Sequence, residues 1–180
     1  MSNAYARPKL GRDIVRVDDM EVDLRNRYLA AFLAWLIPGA GHFYQRRYVK
    51  SVIFFVAVLS AFEIGMVVAG HRCVYASWNN TERRWQYVLQ AGVGLPALPA
   101  AVHIYMPARR GNPAIGGFMA PPKDAEQLAA WNAETASGFD MGTLYTMIAG
   151  LLNVLAVFDA FAGPMPPPEK QDKNKAKSDA

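Results

Sequence analysis

Cysteine occurs once, as Cys73, and histidine three times, as His42, His71 and His103. A single thiol excludes an internal disulfide and any multi-cysteine metal site. His42 and His103, expected on one side of the molecule, lack the third ligand that a zinc site needs. There is no G-x-S-x-G, no H-E-x-x-H and no phosphate-cradling glycine loop, so the chain reads as a non-enzyme that needs no cofactor and no metal. The first 27 residues mix Arg and Lys with Asp13, Asp18, Asp19, Glu21 and Asp23 and contain no apolar stretch of the signal-peptide kind. The most telling scarcity is of charge along three long runs. Residues 86–106 have no Asp, Glu, Lys or Arg, residues 51–69 have only Glu63, and residues 141–163 have only Asp159.

Crossing a hydrocarbon layer of about 30 Å takes roughly 20 apolar residues as helix. The three runs meet that length, although a mean hydropathy of +0.03 over the whole chain suits an ordinary soluble domain. A shorter run, residues 28–37, ends at Pro38, and carrying it to Tyr44 brings in Gly39 and Gly41. Proline and glycine are tolerated in membrane helices where neighbours satisfy the freed backbone groups. This segment is expected to be a fourth, kinked span, with a re-entrant half-helix as the alternative.

The expected organisation is therefore all-α and integral to a membrane, with about four transmembrane helices. A polar N-terminal tail (1–27) precedes a tight helical hairpin (28–69), a polar loop (70–85), a third transmembrane helix (86–106) and a Pro/Gly-rich loop (107–140). A fourth transmembrane helix (141–163) and a disordered Pro/Lys-rich tail (164–180) complete the chain. In the long loop, Asp124 is placed to cap a short amphipathic helix, with Gln127 three residues on and Trp131 as an anchor at the membrane surface. Asn79-Asn80-Thr81 has the spacing of a glycosylation acceptor.

Four crossings put both termini on one side. Tails and the 70–85 loop hold thirteen Lys and Arg against six in the other two connections, which directs both termini to the cytoplasm. Arg46, Arg47 and Lys50 then stand as an exception in the tightest connector. Basic residues are spread along the chain rather than gathered in a stripe, so nucleic acid is not an expected partner. The bilayer is, and a second membrane protein is the partner class left open.

An acid inside a span costs roughly 3 kcal/mol or more and usually faces protein or water. In a four-span topology Glu63, Arg72 and Asp159 fall toward the same membrane side, forming an intramembrane polar cluster. Two readings compete: a proton or ion relay, and a structural cluster in which Glu63 is protonated or reaches toward Arg72. The structural reading is favoured, because a relay needs more than one embedded acid. Ala57, Ala61, Gly65 and Ala69 form a small-residue stripe on the opposite face. Pro96 is expected to bend the third helix, and Gly142, Thr146 and Gly150 to pack the fourth.

The run Trp35-Leu36-Ile37-Pro38-Gly39-Ala40-Gly41-His42-Phe43-Tyr44, followed by Arg46, Arg47 and an apolar span, resembles the two-helix hairpin of the TM-two domain family. Arg46 and Ser51 stand where glycines are common in that family, and the match covers about residues 29–69. The segments around Gly92 to Pro99, Gly117 to Pro122 and Gly142 to Asn153 look like those of an uncharacterised bacterial family of polytopic membrane proteins. That resemblance implies a multi-pass protein of the bacterial cytoplasmic (inner) membrane and carries no activity with it. The expected role is a structural or interaction component, with a small channel or transport subunit using Glu63 and Asp159 as the alternative.

Overall fold

A computed structural model of the chain describes residues 14–17, 20–23, 25–78, 83–106 and 114–163. The acceptor triplet 79–81 and the 164–180 tail lie outside them. The body is helical. Its N-terminal tail contributes a two-stranded antiparallel ribbon, β1 (Ile14–Val17) paired with β2 (Met20–Asp23) in the register Ile14 to Asp23. The all-α expectation thus holds for the body and not for the tail.

Helix α1 (Arg27–Leu36) is started by Asn26, whose side chain accepts from the amides of Tyr28 and Leu29 at 3.1 Å. It is stopped by Pro38, which forces the preceding Ile37 out of helical space (φ −131°, ψ 116°). Gly39 turns the chain at φ 83°, and the five-residue α2 (Ala40–Tyr44) runs back alongside α1. Helix α3 (Tyr48–Val68) follows, then α4 (Gln86–Gln90), α5 (Leu98–Tyr105), α6 (Ala125–Thr135) and α7 (Gly138–Ala162). Two of these, α3 and α7, are long and apolar enough to cross a membrane.

Those two pack on each other in opposite directions. A Cβ on Gly138 would meet the Val68 carbonyl, one on Gly65 would meet the Gly142 carbonyl at 2.8 Å, and Lys50 meets Asp159 near the far end. Mutual glycine contact brings the backbones within van der Waals reach, which favours association where no hydrophobic drive between helices exists. Only the C-terminal half of the expected α3 stripe is used: Gly65 and Ala69 are buried, while Ala57 is exposed.

The run 86–106 is not one helix. After α4 and a single 3₁₀ turn, Gly94 takes φ 85°, ψ −129°, a conformation closed to residues with a Cβ, and a second 3₁₀ turn leads into α5. The break falls at Gly94, two residues before the proline expected to cause it. Its α4 arm advances in step with α7, from Arg84 at Thr143 to Gly92 at Gly150. Beyond the break the chain turns back toward the end it came from, where His103 meets the Phe118 carbonyl at 2.8 Å.

The expected four antiparallel spans are therefore corrected to two long helices and two broken hairpins of half-length helices. Spans two and four of a four-span chain would run parallel, whereas α3 and α7 are antiparallel. A half-helix of ten residues is about 15 Å long, too short to cross. The hairpins enter from opposite ends, and both α1 and α4 rest chiefly on α7.

Candidate functional site

Asp159 sits in the last turn of α7, where the helix dipole disfavours an acid by about 0.3–1 kcal/mol. Three cationic or ring nitrogens compensate. His42 Nε2 lies 2.7 Å from Oδ2, Lys50 Nζ 3.2 and 3.3 Å from the two carboxylate oxygens, and Arg47 Nη2 3.4 Å from Oδ2. His42 is fully buried, its ring against Phe54 at 4.9 Å between centroids, and its Nδ1 has no hydrogen-bond partner. A carboxylate wrapped in this way is not an open base; it ties α2 and the start of α3 to the end of α7.

The Pro-Gly-x-Gly-His-x-Tyr run supplies the geometry residue by residue. Pro38 ends α1, and Gly39 lies so close to the Ser51 carbonyl that a side chain has no room, with Ser51 Oγ donating to the Gly39 carbonyl at 2.9 Å. Gly41 packs on the Ala30 carbonyl, with Ala34 Cβ 2.7 Å from where its own Cβ would be. That close approach sets His42 against Asp159. Tyr44 stacks under the Arg25 guanidinium at 5.1 Å, and its carbonyl accepts from Arg25 at 3.1 Å. Arg46, at φ 62°, is exposed, and Arg47 is the half-buried cap residue of α3.

The two breaks meet at Asn153, fully buried on α7. Its Nδ2 donates to the Gly92 carbonyl at 2.9 Å, with the carbonyls of Trp35 and Val93 at 3.3 and 3.4 Å. Trp35 Nε1 donates to the Ala91 carbonyl at 3.2 Å, and Gly94 packs on the Trp35 carbonyl. Broken helices leave carbonyls without partners, and one amide gathers them from both hairpins. Neither Asn153 in this role nor Gln90, which donates to Thr146 Oγ1 at 2.9 Å and to the Cys73 carbonyl at 3.2 Å, was assigned a function from the sequence. Their place inside otherwise apolar runs was the available signal.

At the other end the expected cluster of Glu63, Arg72 and Asp159 does not form. Glu63 is 69% exposed with His71 Nε2 at 3.9 Å, Arg72 pairs with Glu134, and Asp159 lies at the opposite end of the molecule. The reason is the pair of returns: that of α2 turns α3 round relative to a four-span chain, while the later return of α5 beside α4 leaves α7 in its four-span sense, so Glu63 changes ends and Asp159 does not. The same returns separate His42 from His103. Among the described residues of the polar 70–85 loop, Cys73, Val74, Tyr75, Ala76 and Ser77 are all buried. Arg84 clamps this strap, donating to the Cys73 carbonyl at 2.8 Å, to Tyr75 Oη at 3.0 Å and to Thr143 Oγ1 at 3.1 Å. Burial pushes the Cys73 thiol from 9.0 up to about 11. Asp124 caps α6 as expected, accepting from the Gln127 amide at 2.7 Å, while Trp131 packs at 6.3 Å from the Tyr75 ring.

No group of three or more His, Cys, Asp or Glu placed to hold a metal occurs among the described residues. Residues 29–173 match the family described as Family of unknown function (DUF6677). The chain belongs to this family. No curated protein and no solved structure matches it. Within the DUF6677 chain, then, the Asp159 latch and the Asn153 junction are constellations that tie the hairpins to α7.

Proposed function

We propose that this DUF6677 protein is an integral membrane protein whose two spanning helices carry two re-entrant hairpins from opposite sides, and that it serves as a non-enzymatic structural or interaction component. The observation that carries the reading is the meeting of two half-length helix breaks at a buried Asn153 on one of two helices of spanning length. Irregular backbone at membrane depth needs protein groups to satisfy it, and Asn153 together with Trp35 does so here. The large exposed hydrophobic residues along α3 and α7 include Val52, Ile53, Phe55, Leu151, Leu155 and Phe158, as lipid contact requires.

Orientation follows from charge. Among the described residues of the helical body, Arg25, Arg27, Arg46, Arg47 and Lys50 lie at the Asp159 end, and Arg72, Arg83, Arg84 and Lys123 at the opposite end. The return of α2 brings Arg46, Arg47 and Lys50 to the side of the N-terminal tail, removing the exception that a four-span topology leaves. The positive-inside rule then assigns the Asp159 end, and both termini, to the cytoplasm. Glu63 and Asp159 lie at opposite ends with separate partners, which supports the structural reading over a transport role that uses them as one cluster.

Alkaline carbonate washing of membranes from expressing cells tests the first half of the reading. The chain is expected to stay in the pellet, and release into the wash would contradict insertion. Purification in mild detergent tests the second half: a stoichiometric companion supports an interaction component, and a self-contained chain that conducts ions in vesicles opposes it.

A further inference from the structure

We propose that the Asp159 end carries a binding surface for anionic phospholipid headgroups, with Arg46 and Lys50 as the phosphate-facing cations. The inference rests on the membrane reading above and adds to it a ligand class and a position. Arg46 makes no ion pair among the described residues and is exposed. It is presented outward by a left-handed backbone (φ 62°) between α2 and α3, a conformation that a non-glycine residue adopts at a cost. Lys50 shares Asp159 with His42 and Arg47, and its side chain is 44% exposed. One carboxylate cannot neutralise the cations gathered around it, and the surplus lies where α3 begins without a side-chain cap, its first-turn amides adding positive potential in the same direction.

The surrounding surface suits a diacyl lipid rather than a free anion. Phe43 and Tyr48 are 63% and 53% exposed and meet edge to face at 5.2 Å. Tyr28 stands nearby against Phe161 at 5.5 Å. Aromatic rings of this kind settle at headgroup level. One turn further along α3, Val52 and Ile53 are exposed and apolar, continuing the surface into the depth where acyl chains lie. A phosphate at Arg46 and Lys50 with its chains along Val52 and Ile53 satisfies both halves.

The test uses the full chain purified in mild detergent, with phosphatidylglycerol or phosphatidylcholine of identical acyl chains added, and bound lipid read by native mass spectrometry. Phosphatidylglycerol is expected to be retained at least tenfold better. Arg46→Gln is expected to lower its retention about fivefold, Arg46→Gln with Lys50→Gln more, and Arg83→Gln at the opposite end not at all. Arg46 lies outside the Asp159 latch, so its single variant stays informative if the double variant fails to fold. Equal retention of the two lipids, or full retention by Arg46→Gln, would overturn the proposal. So would displacement of the lipid by millimolar inorganic phosphate, which would mark a free-anion site. Carbonate washing of the same protein reports insertion separately, so failure of lipid selectivity and failure of the membrane reading give different results.

Discussion

Glu63 and Asp159 are the two acids inside the long apolar runs, and the fold treats them in opposite ways. Asp159 is 24% exposed and has three basic side chains within 3.4 Å, whereas Glu63 is 69% exposed and among the described residues has only His71, at 3.9 Å, in ion-pair range. The difference comes from what folds back beside each. At Asp159 the return of α2 delivers His42, and the start of α3 adds Arg47 and Lys50; Glu63 instead lines an open cavity with Pro96, Phe118 and Met119, none of which carries a charge. An acid in an apolar helix is therefore not in itself the mark of a relay. Its partners decide whether it is a latch or a surface group.

Removing each acid in turn is the strongest way to break this contrast. Asp159→Ala leaves three basic side chains around an empty position, and is expected to destabilise the chain by about 3 kcal/mol, measured as detergent-phase thermal unfolding. A loss no larger than that of Glu63→Gln would remove the latch from the account. Asn153→Leu keeps the branched side-chain shape but strips the Gly92 and Trp35 carbonyls of their donor, at an expected cost of about 1–3 kcal/mol. The same change should raise hydrogen exchange at Gly92 to Gly94 before it does so in α3.

The Glu63 end is open at that acid yet sealed beneath it, and Cys73 reports on the seal. Its thiol should resist maleimide at neutral pH in the folded chain and react on denaturation. Because the folded thiol ionises near 11 rather than 9.0, the native state holds a proton that the unfolded state loses between those values. Stability is therefore fully present below pH 9 and falls as pH rises toward 11; Cys73→Ala should flatten that slope. Glu63→Gln is expected to have the smallest effect, within about 0.5 kcal/mol.

Much of this was legible in the sequence. The extents of α3 and α7 follow from two runs of spanning length with one acid each, and the α6 cap follows from Asp124 and Gln127. What stayed hidden was direction. Pro38-Gly39 announces a break in any reading, but whether the chain continues or returns depends on Gly41 fitting against Ala30 and Ala34, a contact between segments that periodicity does not encode. Residues 86–106 hide their break for a different reason: with no charges, the composition is the same for a bent span and for two half-helices, and only Gly94 at positive φ separates them. The strap Cys73-Val74-Tyr75-Ala76 was hidden by its charged flanks, Arg72 on one side and Arg83-Arg84 on the other. Read alone, its apolar residues would have suggested burial.

The central claim is that the connector carrying Arg46 lies on the side of the C-terminus of α7. It is tested most directly by single cysteines placed at Arg46, Trp85, Lys123 and Gly163 in a Cys73→Ala background and labelled with a membrane-impermeant maleimide. The account predicts that positions 46 and 163 behave alike, both protected in intact cells, and that 85 and 123 are both labelled. Four continuous spans would instead pair 46 with 123 and 85 with 163, and that pattern would contradict the two re-entrant hairpins.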